Sequence, residues 1–463
     1  MIGVGTFACG GADGASGDES DGGASDAEDG QRLDVTVNDS DADATSDASL
    51  DVGDAPRDTA PADAGYPFPT PIKYVFVIVK ENHTFDNMFT GFPGTDPPPD
   101  SVKMMDGTTY PRKAAAFKPL AFDTTHAHDA GVTEYNDGKM NGWSGPLSAA
   151  ATDQALSFFP ESQIPSYWAY ARNFVLFDHF FSTHMGPSSP GHISVHTAMT
   201  VNYENPTGDG DCHSPTVAGT VGTIDPVTGA RKDMFPCFDV PVVEQLLPPS
   251  LTWHAYSGGP LDNVKGIGGD PAIRTAHYRS IGGLITDLDK GVLANLTIAN
   301  IGGVTYEGDP ASEHPPQHPC NGENFTVEVV NRLMKSPHWP EIAIVFTYDD
   351  YGGFYDHVKP KAEMLTNGDF IHTGFRLPAM IISAYAKKGF LDHTATEHAS
   401  IPKLIEDLFA LGRMKPNPKA PWDKYIPRDA KAGSMMGAFD FTQPPRPAFL
   451  RTIRTDCPAA PPP

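Results

Sequence analysis

Residues 73–89, KYVFVIVKENHTFDNMF, constrain the fold more than any other part of the chain. Residues 74–79 are all β-branched or aromatic, which predicts a strand buried on both faces. The polar residues Glu81 and Asn82 follow at once, and a helix is predicted to begin near Phe85. Open α/β sheets bind their ligands at the carboxyl ends of such strands, which is where this pair would lie. The alternative is that this polar stretch merely caps the helix, since Asn and Thr are good N-cap residues.

The same pattern recurs at residues 342–353, IAIVFTYDDYGG. A second apolar strand is predicted there, and Asp349 and Asp350 stand at its carboxyl end. The two glycines that follow let the backbone turn sharply. Consecutive acids are often no more than a solvated turn, but the preceding strand favours a ligand-binding role for this pair.

Between these strands, residues 186–192 read GPSSPGH and precede a partly apolar helical stretch. A serine on a tight turn before a helix has an exposed hydroxyl close to the helix N-terminus. Ser188 is therefore a candidate nucleophile for attack on an anionic group. The commoner role for such a serine is that of an N-cap residue.

The remaining pattern is that of an α/β protein. Residues 164–181 indicate a helix followed by a strand. Strands are also predicted at 251–256, 296–300 and 376–384, and helices at 274–290, 325–335 and 401–411. Residues 91–118 are rich in Pro and Gly and are predicted to be a loop.

The charge of the chain is unevenly distributed. The formal net charge is −25, and residues 10–65 hold 16 acids against two arginines, which gives −14 and leaves −11 for the rest. A segment so poor in large apolar side chains is predicted to be disordered. The organisation that follows is a disordered segment at 1–70 and a catalytic domain at 71–455. No basic face is evident, which argues against a nucleic-acid partner, and no protein partner is predicted.

The cysteines bear on the cellular compartment. Residues 6–10, TFACG, resemble the end of a bacterial lipoprotein signal with Cys9 as the acylated residue, which would anchor the chain to a membrane. A plain unstructured N-terminus is the alternative. Cys212 and Cys237 flank a loop and could form a disulfide in an oxidising compartment, or remain free thiols. We therefore expect a cell-envelope or extracellular protein.

The polar residues at the predicted strand ends have a common chemistry. Carboxylates and an amide are ligands for a divalent cation, whose identity the residues leave open. A nearby serine hydroxyl can then act as the nucleophile, and histidines can bind phosphate oxygens or protonate a leaving group. This combination suits cleavage of a phosphate ester through a phosphoserine.

The motifs VIVKENHTFDNMF, GPSSPGH and TYDDYGGFYDHV resemble the signature regions of one bacterial phosphoesterase family. That family contains phosphatidylcholine-type phospholipases C and a respiratory-burst-inhibiting acid phosphatase. The segments NDGKMNGW, SEHPPQHPCNGEN and EHASIPKLIEDLF agree, so the resemblance covers about residues 72–412 in the family's order. It implies an alkaline-phosphatase-like three-layer α/β sandwich with a central, mostly parallel sheet.

The resemblance also implies roles for individual residues. The metal ligands would be Glu81, Asn82, Ser188, Asp349 and Asp350, with Ser188 also the nucleophile. The residues around the phosphate would be His126 (rather than His128), His192, His314 and His357, one of them the general acid.

Four positions depart from the family's pattern. His83 stands where many members have Arg, Gly191 stands where Asn is usual, Ser188 replaces the Thr of the phospholipases, and Asp350 replaces the more frequent Glu. The substrate is therefore open between a soluble phosphate monoester and a phospholipid.

A choline headgroup would call for an aromatic cage. Trp143, Trp168, Tyr351 and Tyr355 are its candidates, although packing is the simpler role for each. A different kind of function, a non-catalytic binding protein displayed at the cell surface on the same fold, predicts the loss of ligand residues, and none of the five is missing.

Overall fold

The structure is a computed structural model that describes residues 67–199, 205–208, 210–224, 231–257, 260–302, 311–361, 373–415 and 427–459. The predicted acidic segment lies outside these ranges apart from residues 67–70, and Cys9 lies outside them as well. The predictions of disorder and of lipid anchoring therefore stay predictions.

Fourteen strands are defined within these ranges. They are β1 (Tyr74–Lys80), β2 (Ser101–Lys103), β3 (Thr109–Pro111), β4 (Val175–Phe181), β5 (Thr207–Gly208), β6 (Gly219–Ile224), β7 (Arg231–Met234), β8 (Trp253–Ser257), β9 (Tyr278–Ser280), β10 (Leu296–Asn300), β11 (Ile342–Tyr348), β12 (Arg376–Ser383), β13 (Phe390–Asp392) and β14 (Thr396–Glu397).

The described ranges also hold nine α-helices. They are α1 (Phe85–Phe89), α2 (His128–Tyr135), α3 (Ala149–Ala155), α4 (Pro165–Asn173), α5 (Ser188–Thr197), α6 (Pro271–His277), α7 (Leu284–Asp289), α8 (Pro319–Lys335) and α9 (Ser400–Leu408). Short 3₁₀ helices lie at Val243–Leu246, Pro260–Asn263, Ile281–Gly283, Trp339–Glu341 and Met436–Ala438.

A nine-stranded sheet forms the centre of the protein, in the order β13-β4-β12-β11-β1-β10-β8-β9 with β14 also beside β4. Every pairing is parallel except the two that β12 makes with β11 and β4. The central strands β1, β10, β11 and β12 are buried along their whole length, as expected of near-continuous apolar runs. The predicted α/β architecture with a central, mostly parallel sheet is confirmed.

The sheet contains one β-bulge, at the contact between β12 and β4. Leu377 pairs with Phe180 and Ala379 with Phe177, so Pro378 alone opposes two residues of β4. Proline has no backbone N–H to donate, so it interrupts the ladder between two strands. The bulge therefore inserts an extra residue into β4 at positions 178 and 179.

Two disulfides join distant parts of the described chain. Cys212 and Cys237 are bonded, so of the two alternatives left open by the sequence the disulfide is the one observed. Cys320 in α8 is bonded to Cys457, 137 residues further along, a pairing the sequence did not indicate. Asn324 of the same helix also donates to the backbone of Arg454 at 2.8 Å, so the C-terminal tail packs against α8.

We expect that replacing both Cys320 and Cys457 with serine lowers the free energy of unfolding by about 2–4 kcal/mol, because the unfolded chain loses a long cross-link. Denaturant titration of the oxidised protein measures this. The matched control is the Cys212→Ser/Cys237→Ser variant. The disulfide it removes has a sequence separation of only 25, so the loss of unfolding free energy should be smaller. A larger loss in the control would contradict the loop-length argument.

None of the helices in the described ranges is long and apolar enough to cross a membrane. Two local predictions are wrong. The helix expected at 274–290 is divided into α6, β9, a 3₁₀ turn and α7, and the loop expected at 91–118 contains the hairpin of β2 and β3.

Candidate active site

The polar pairs Glu81–Asn82 and Asp349–Asp350 lie side by side at the carboxyl ends of two neighbouring strands. Strands β1 and β11 are parallel neighbours whose last residues face each other in register. The backbone N–H of Asp349 donates to the carbonyl of Lys80 at 3.0 Å, which extends the ladder by one residue. Glu81 and Asn82 therefore lie beside Asp349 and Asp350, and the side chains of all four are buried. The strand-end argument thus placed these four residues together correctly.

Ser188 joins this cluster from the start of α5. Its Oγ lies 3.1 Å from Asp350 Oδ2 and 3.4 Å from the Asn82 amide. Pro187 occupies the N-cap position of the helix, so the alternative role of Ser188 as the N-cap residue is wrong. Ser188 is also only partly buried, so the hydroxyl lies among the four polar side chains without being sealed off.

Two glycines allow these segments to approach so closely. A Cβ atom at Gly191 would lie 2.1 Å from the backbone oxygen of Asp349. At Gly186, where φ is +80°, a Cβ atom would lie 2.1 Å from the backbone oxygen of His126. The departure at Gly191 from the family's usual Asn is therefore a packing requirement in this chain, since α5 lies directly against the end of β11.

The Asn82 amide stands between the carboxylates and two histidines. One terminal atom lies 2.7 and 3.1 Å from the oxygens of Asp349, and the other lies 3.1 Å from His314 Nε2 and 3.3 Å from His126 Nε2. A carboxylate only accepts hydrogen bonds, so the amide nitrogen faces Asp349 and the oxygen faces the imidazoles. The polar stretch does cap the helix, but through Thr84, whose hydroxyl accepts from the N–H of Asn87, and not through Asn82.

His192 lies deeper than the other histidines. Its Nε2 is 3.0 Å from Glu81 Oε1 and 3.3 Å from Asp349 Oδ2, and the side chain is fully buried. The donor atoms of these three residues all lie within 4.8 Å of one another, as in a metal site. The structure therefore groups His192 with the predicted metal ligands.

His126 and His314 line the more open side of the cluster. Their rings are 5.7 Å apart, and each Nδ1 lies 2.7 Å from a backbone carbonyl oxygen, that of Thr124 for His126 and that of Pro315 for His314. Each Nε2 therefore faces the Asn82 amide. Burial opposes a charge on His126, but the nearby Asp350 and Asp123 outweigh burial and raise its pKa.

His357 is separated from this group. Its Nδ1 lies 2.8 Å from Asp86 Oδ2, in a second buried cluster that includes Asp356 and Arg376. Within the described residues, none of its hydrogen bonds or ion pairs reaches Ser188 or the four strand-end residues. The geometry therefore brings together eight of the nine predicted site residues and leaves His357 outside.

The carboxylates of the cluster repel one another electrostatically. Burial, together with the neighbouring Asp350 and Glu81, raises the pKa of Asp349 well above its usual range. Burial also raises the pKa of Asp350, although His126 opposes this. A cation placed among these groups would remove the repulsion.

A buried ion pair behind the site escaped the sequence analysis. Lys80 Nζ lies 3.2 Å from Glu313 Oε1, and both side chains are fully buried. Tyr348 OH donates to Glu313 Oε2 at 2.6 Å, and the N–H of Glu81 donates to the Ser312 carbonyl at 3.0 Å. These contacts fix the segment that carries His314. The sequence feature that could have indicated this ion pair is Lys80, a lysine at the end of an otherwise apolar strand.

The aromatic residues considered for a choline cage are all packing residues. Each is at least nine-tenths buried, and the polar atoms of Trp143, Trp168 and Tyr351 bond inside the protein. Trp143 Nε1 donates to Gly353 at 3.0 Å, and Tyr351 OH donates to Glu134 at 2.6 Å. His83 is likewise enclosed by aromatic rings, and burial lowers its pKa to about 3. The departure at His83 is therefore a change in the core.

Comparison with known families gives one match over most of the chain. The model of the phosphoesterase family matches residues 72–412. These limits coincide with the region whose motifs carry the resemblance, and they include all nine predicted site residues.

The chain is also similar to phospholipases from bacteria and plants. It is 25% identical over 451 residues to a non-hemolytic phospholipase C of Pseudomonas aeruginosa, a match that covers 83% of this chain and 60% of the relative. It is 26% identical over 446 residues to the non-specific phospholipase C6 of Arabidopsis thaliana, covering 86% of this chain and 76% of the relative. The match thus spans about three fifths of the bacterial relative's length.

Similarity to solved structures is weaker. A protein of the alkaline phosphatase superfamily from Vibrio parahaemolyticus is 11% identical, with a TM-score of 0.34 over 76% of this chain and 70% of that one.

Proposed function

The chain belongs to the phosphoesterase family, and on this premise we propose that it is a metal-dependent hydrolase of phosphate esters that acts through a phosphoserine intermediate. The substrate is a phosphate monoester, as for an acid phosphatase, or a phospholipid, as for a phospholipase C. The nucleophile is Ser188.

One observation carries the proposal. The Ser188 hydroxyl lies within 3.4 Å of both Asp350 and Asn82, which come from two different strand ends. A serine at the start of a helix, surrounded by buried carboxylates and with two histidines nearby, is suited to attack an anionic ester once the negative charge is balanced.

The donor set fits a divalent cation. Glu81, Asp349 and Asp350 supply carboxylate oxygens and Ser188 a hydroxyl, and Asn82 would supply its amide oxygen once the side-chain amide turns end for end, since its nitrogen now faces Asp349. These are the ligand types that hard cations prefer. His192 lies between two of these carboxylates and could replace or support one ligand. When bound, a cation here would balance charge on the phosphoryl oxygens and favour the ionised serine.

The residues of the chain supply the remaining steps. Asp350 Oδ2 accepts the hydrogen bond of Ser188 and orients Oγ. As Oγ bonds to phosphorus, its proton passes to Asp350 Oδ2, the ester P–O bond breaks, and a protonated histidine gives its proton to the departing alkoxide. His126, with its raised pKa, and His314 are placed for this role. Water then attacks the phosphoserine, and one of its protons passes to the histidine. The bond between Oγ and phosphorus breaks and Asp350 returns its proton to Oγ, which releases the phosphate product and restores Ser188.

We also propose that the protein acts in the cell envelope or outside the cell. Its two disulfides support an oxidising compartment. Anchoring through Cys9 is part of this proposal, and a phospholipid substrate would make a membrane surface the place of action.

Chelation tests the metal dependence. We expect the metal-loaded protein to hydrolyse p-nitrophenyl phosphate, p-nitrophenylphosphorylcholine or both, and EDTA to lower the rate at least about 100-fold, because cation–phosphoryl interactions supply several kcal/mol in the transition state. Added divalent cation should restore the rate. EDTA saturated beforehand with the same cation that loads the protein is the control for effects of the chelator itself.

The ratio of the two rates distinguishes a phosphatase from a phospholipase C. Full activity in EDTA would contradict metal dependence. If neither compound is hydrolysed by a metal-loaded sample, the alternative of a surface-displayed binding protein gains support.

A further inference from the structure

Another group of side chains of the types that can bind a metal lies in the outer part of the sheet. Asp178 and His179 are neighbours on β4, and His393 follows the end of β13. Their donor atoms lie within 4.8 Å of one another. The group has no residue in common with the site around Ser188 or with the cluster around His357.

The β-bulge explains how two consecutive strand residues act together. Neighbouring side chains on a regular strand point to opposite faces, so Asp178 and His179 would be separated. They are the two residues that oppose Pro378, and a bulge redirects side chains in this way. His179 Nδ1 consequently lies 2.8 Å from Asp178 Oδ1.

The third member arrives from the other side of β4. Asp392 pairs with Phe177 and Thr396 pairs with Phe180, so the three residues 393–395 pass opposite the same two bulge residues. His393 stands at the start of this connection. Its Nδ1 lies 2.8 and 3.0 Å from the two oxygens of Asp178.

The environment of Asp178 calls for a positive charge. Its side chain is 2% exposed, whereas those of His179 and His393 are 30% and 61% exposed. Among the described residues, the side chains that hydrogen-bond this carboxylate are the two imidazoles, while Arg376 donates at 3.1 Å to the backbone oxygen of Asp178 instead. A buried carboxylate is stable only when it is paired or bound to a cation.

We propose that Asp178, His179 and His393 bind a transition-metal ion of the zinc type, separately from the Ser188 site. Two imidazole nitrogens and a carboxylate oxygen are a common donor set for zinc, with solvent at the fourth position. The present distances of 2.8–3.0 Å between Asp178 oxygens and imidazole nitrogens are a few tenths shorter than the spacing of about 3.3 Å that follows from zinc–ligand bonds of about 2.0 Å. The exposed His393 ring can move by that amount. The ion would tie the β13–β14 connection to the bulge of β4.

Zinc stoichiometry tests this proposal. The full chain is dialysed against a zinc buffer, and bound zinc is counted by elemental analysis. We expect the His179→Gln/His393→Gln variant to bind one zinc ion fewer per chain than the wild type, and to hydrolyse its phosphate-ester substrate at the wild-type rate. His338→Gln is the matched control, since His338 faces a single carboxylate, that of Glu341, and should leave the count unchanged.

A second measurement covers the case in which the double variant folds poorly. His393 is largely exposed, so the single His393→Gln variant should fold normally. When both proteins are loaded with cobalt, the visible absorption of the variant should be lower than that of the wild type by the contribution of the one cobalt ion that the variant has lost. Equal zinc counts, or equal cobalt spectra, in wild type and variant would overturn the proposal. Because the readout is the number of ions, failure here leaves the proposed hydrolase function untouched, and loss of hydrolase activity in EDTA leaves this proposal untouched.

Discussion

Replacement of Ser188 by alanine is expected to lower kcat at least about 10⁴-fold, because the variant retains the binding residues but has no nucleophile to form the covalent intermediate. The steady-state rate on the better of the two p-nitrophenyl substrates measures this. The fold should change little, since the hydroxyl makes contacts of 3.1 and 3.4 Å whose removal costs only about 1 kcal/mol.

The adjacent serine provides a matched control. Ser189 lies in the same helical turn and is buried, and its hydroxyl has no hydrogen-bond partner within the described residues. Ser189→Ala should therefore keep both activity and stability. A control variant as inactive as Ser188→Ala would mean that packing of this helix start, and not the nucleophile, determines the loss.

Trapping of the intermediate separates a nucleophile from a residue that only orients the substrate. Acid quenching of the wild type during turnover of a ³²P-labelled monoester should leave label on Ser188, and the Ser188→Ala variant should carry none. Appreciable turnover by that variant would exclude the phosphoserine mechanism.

The sequence was sufficient to predict most of this site because the rule behind it is local. Each buried strand ends in polar residues, and parallel neighbours bring their carboxyl ends to one edge. Glu81 and Asp349 are 268 positions apart (349 − 81) yet follow strands that are in register. The order of strands in the sheet was not needed for that inference.

The partners of the histidines could not be predicted in the same way. Whether His357 faces a phosphate or Asp86 depends on how β12 carries Arg376 into the sheet. His192 contacts Glu81 because Gly191 lets α5 approach β11 closely, which is a tertiary contact. Motif resemblance assigned all four histidines one role, and the geometry divides them among three positions.

The prediction of a helix at 274–290 was wrong for a related reason. Its sequence is compatible with a helix, but residues 278–280 pair with β8 at the edge of the sheet. Gly282 and Gly283 follow, and glycine weakens a helix at such a point. Tertiary pairing therefore overrides local propensity where the propensity is already low.

The largest effect on stability is expected at Arg376. Its side chain is fully buried, with Nη2 2.8 Å from Asp86 and Nε 3.0 Å from Asp356. The guanidinium carbon also lies 4.4 Å from the centre of the Phe85 ring. Arg376→Met leaves two buried carboxylates without this partner and should lower the free energy of unfolding by about 3–5 kcal/mol. Denaturant titration at pH 8 measures the loss.

Arg172 is the control, because its pair with Glu161 is exposed. The two side chains are 46% and 44% exposed, and an ion pair of that kind contributes about 1 kcal/mol or less. Arg172→Met should therefore be nearly neutral. An equal loss in the two variants would show that side-chain packing, and not the buried charge, accounts for the effect.

The pH dependence of the Arg376→Met variant tests the charge argument directly. In the wild type, burial raises the pKa of Asp356 to about 6, although Arg376 opposes the shift. The pKa of Asp86 is lowered instead, because burial is outweighed by the hydrogen bond between Asp86 and His357 and by the charge of Arg376. Without the guanidinium both pKa values rise, so the folded variant binds more protons than the unfolded chain above the ordinary aspartate pKa. Its stability must then fall as pH increases. The difference in the free energy of unfolding between wild type and variant should accordingly be smaller at pH 5 than at pH 8. An equal difference at both pH values would indicate that the lost stability comes from the cavity and the lost contact with Phe85.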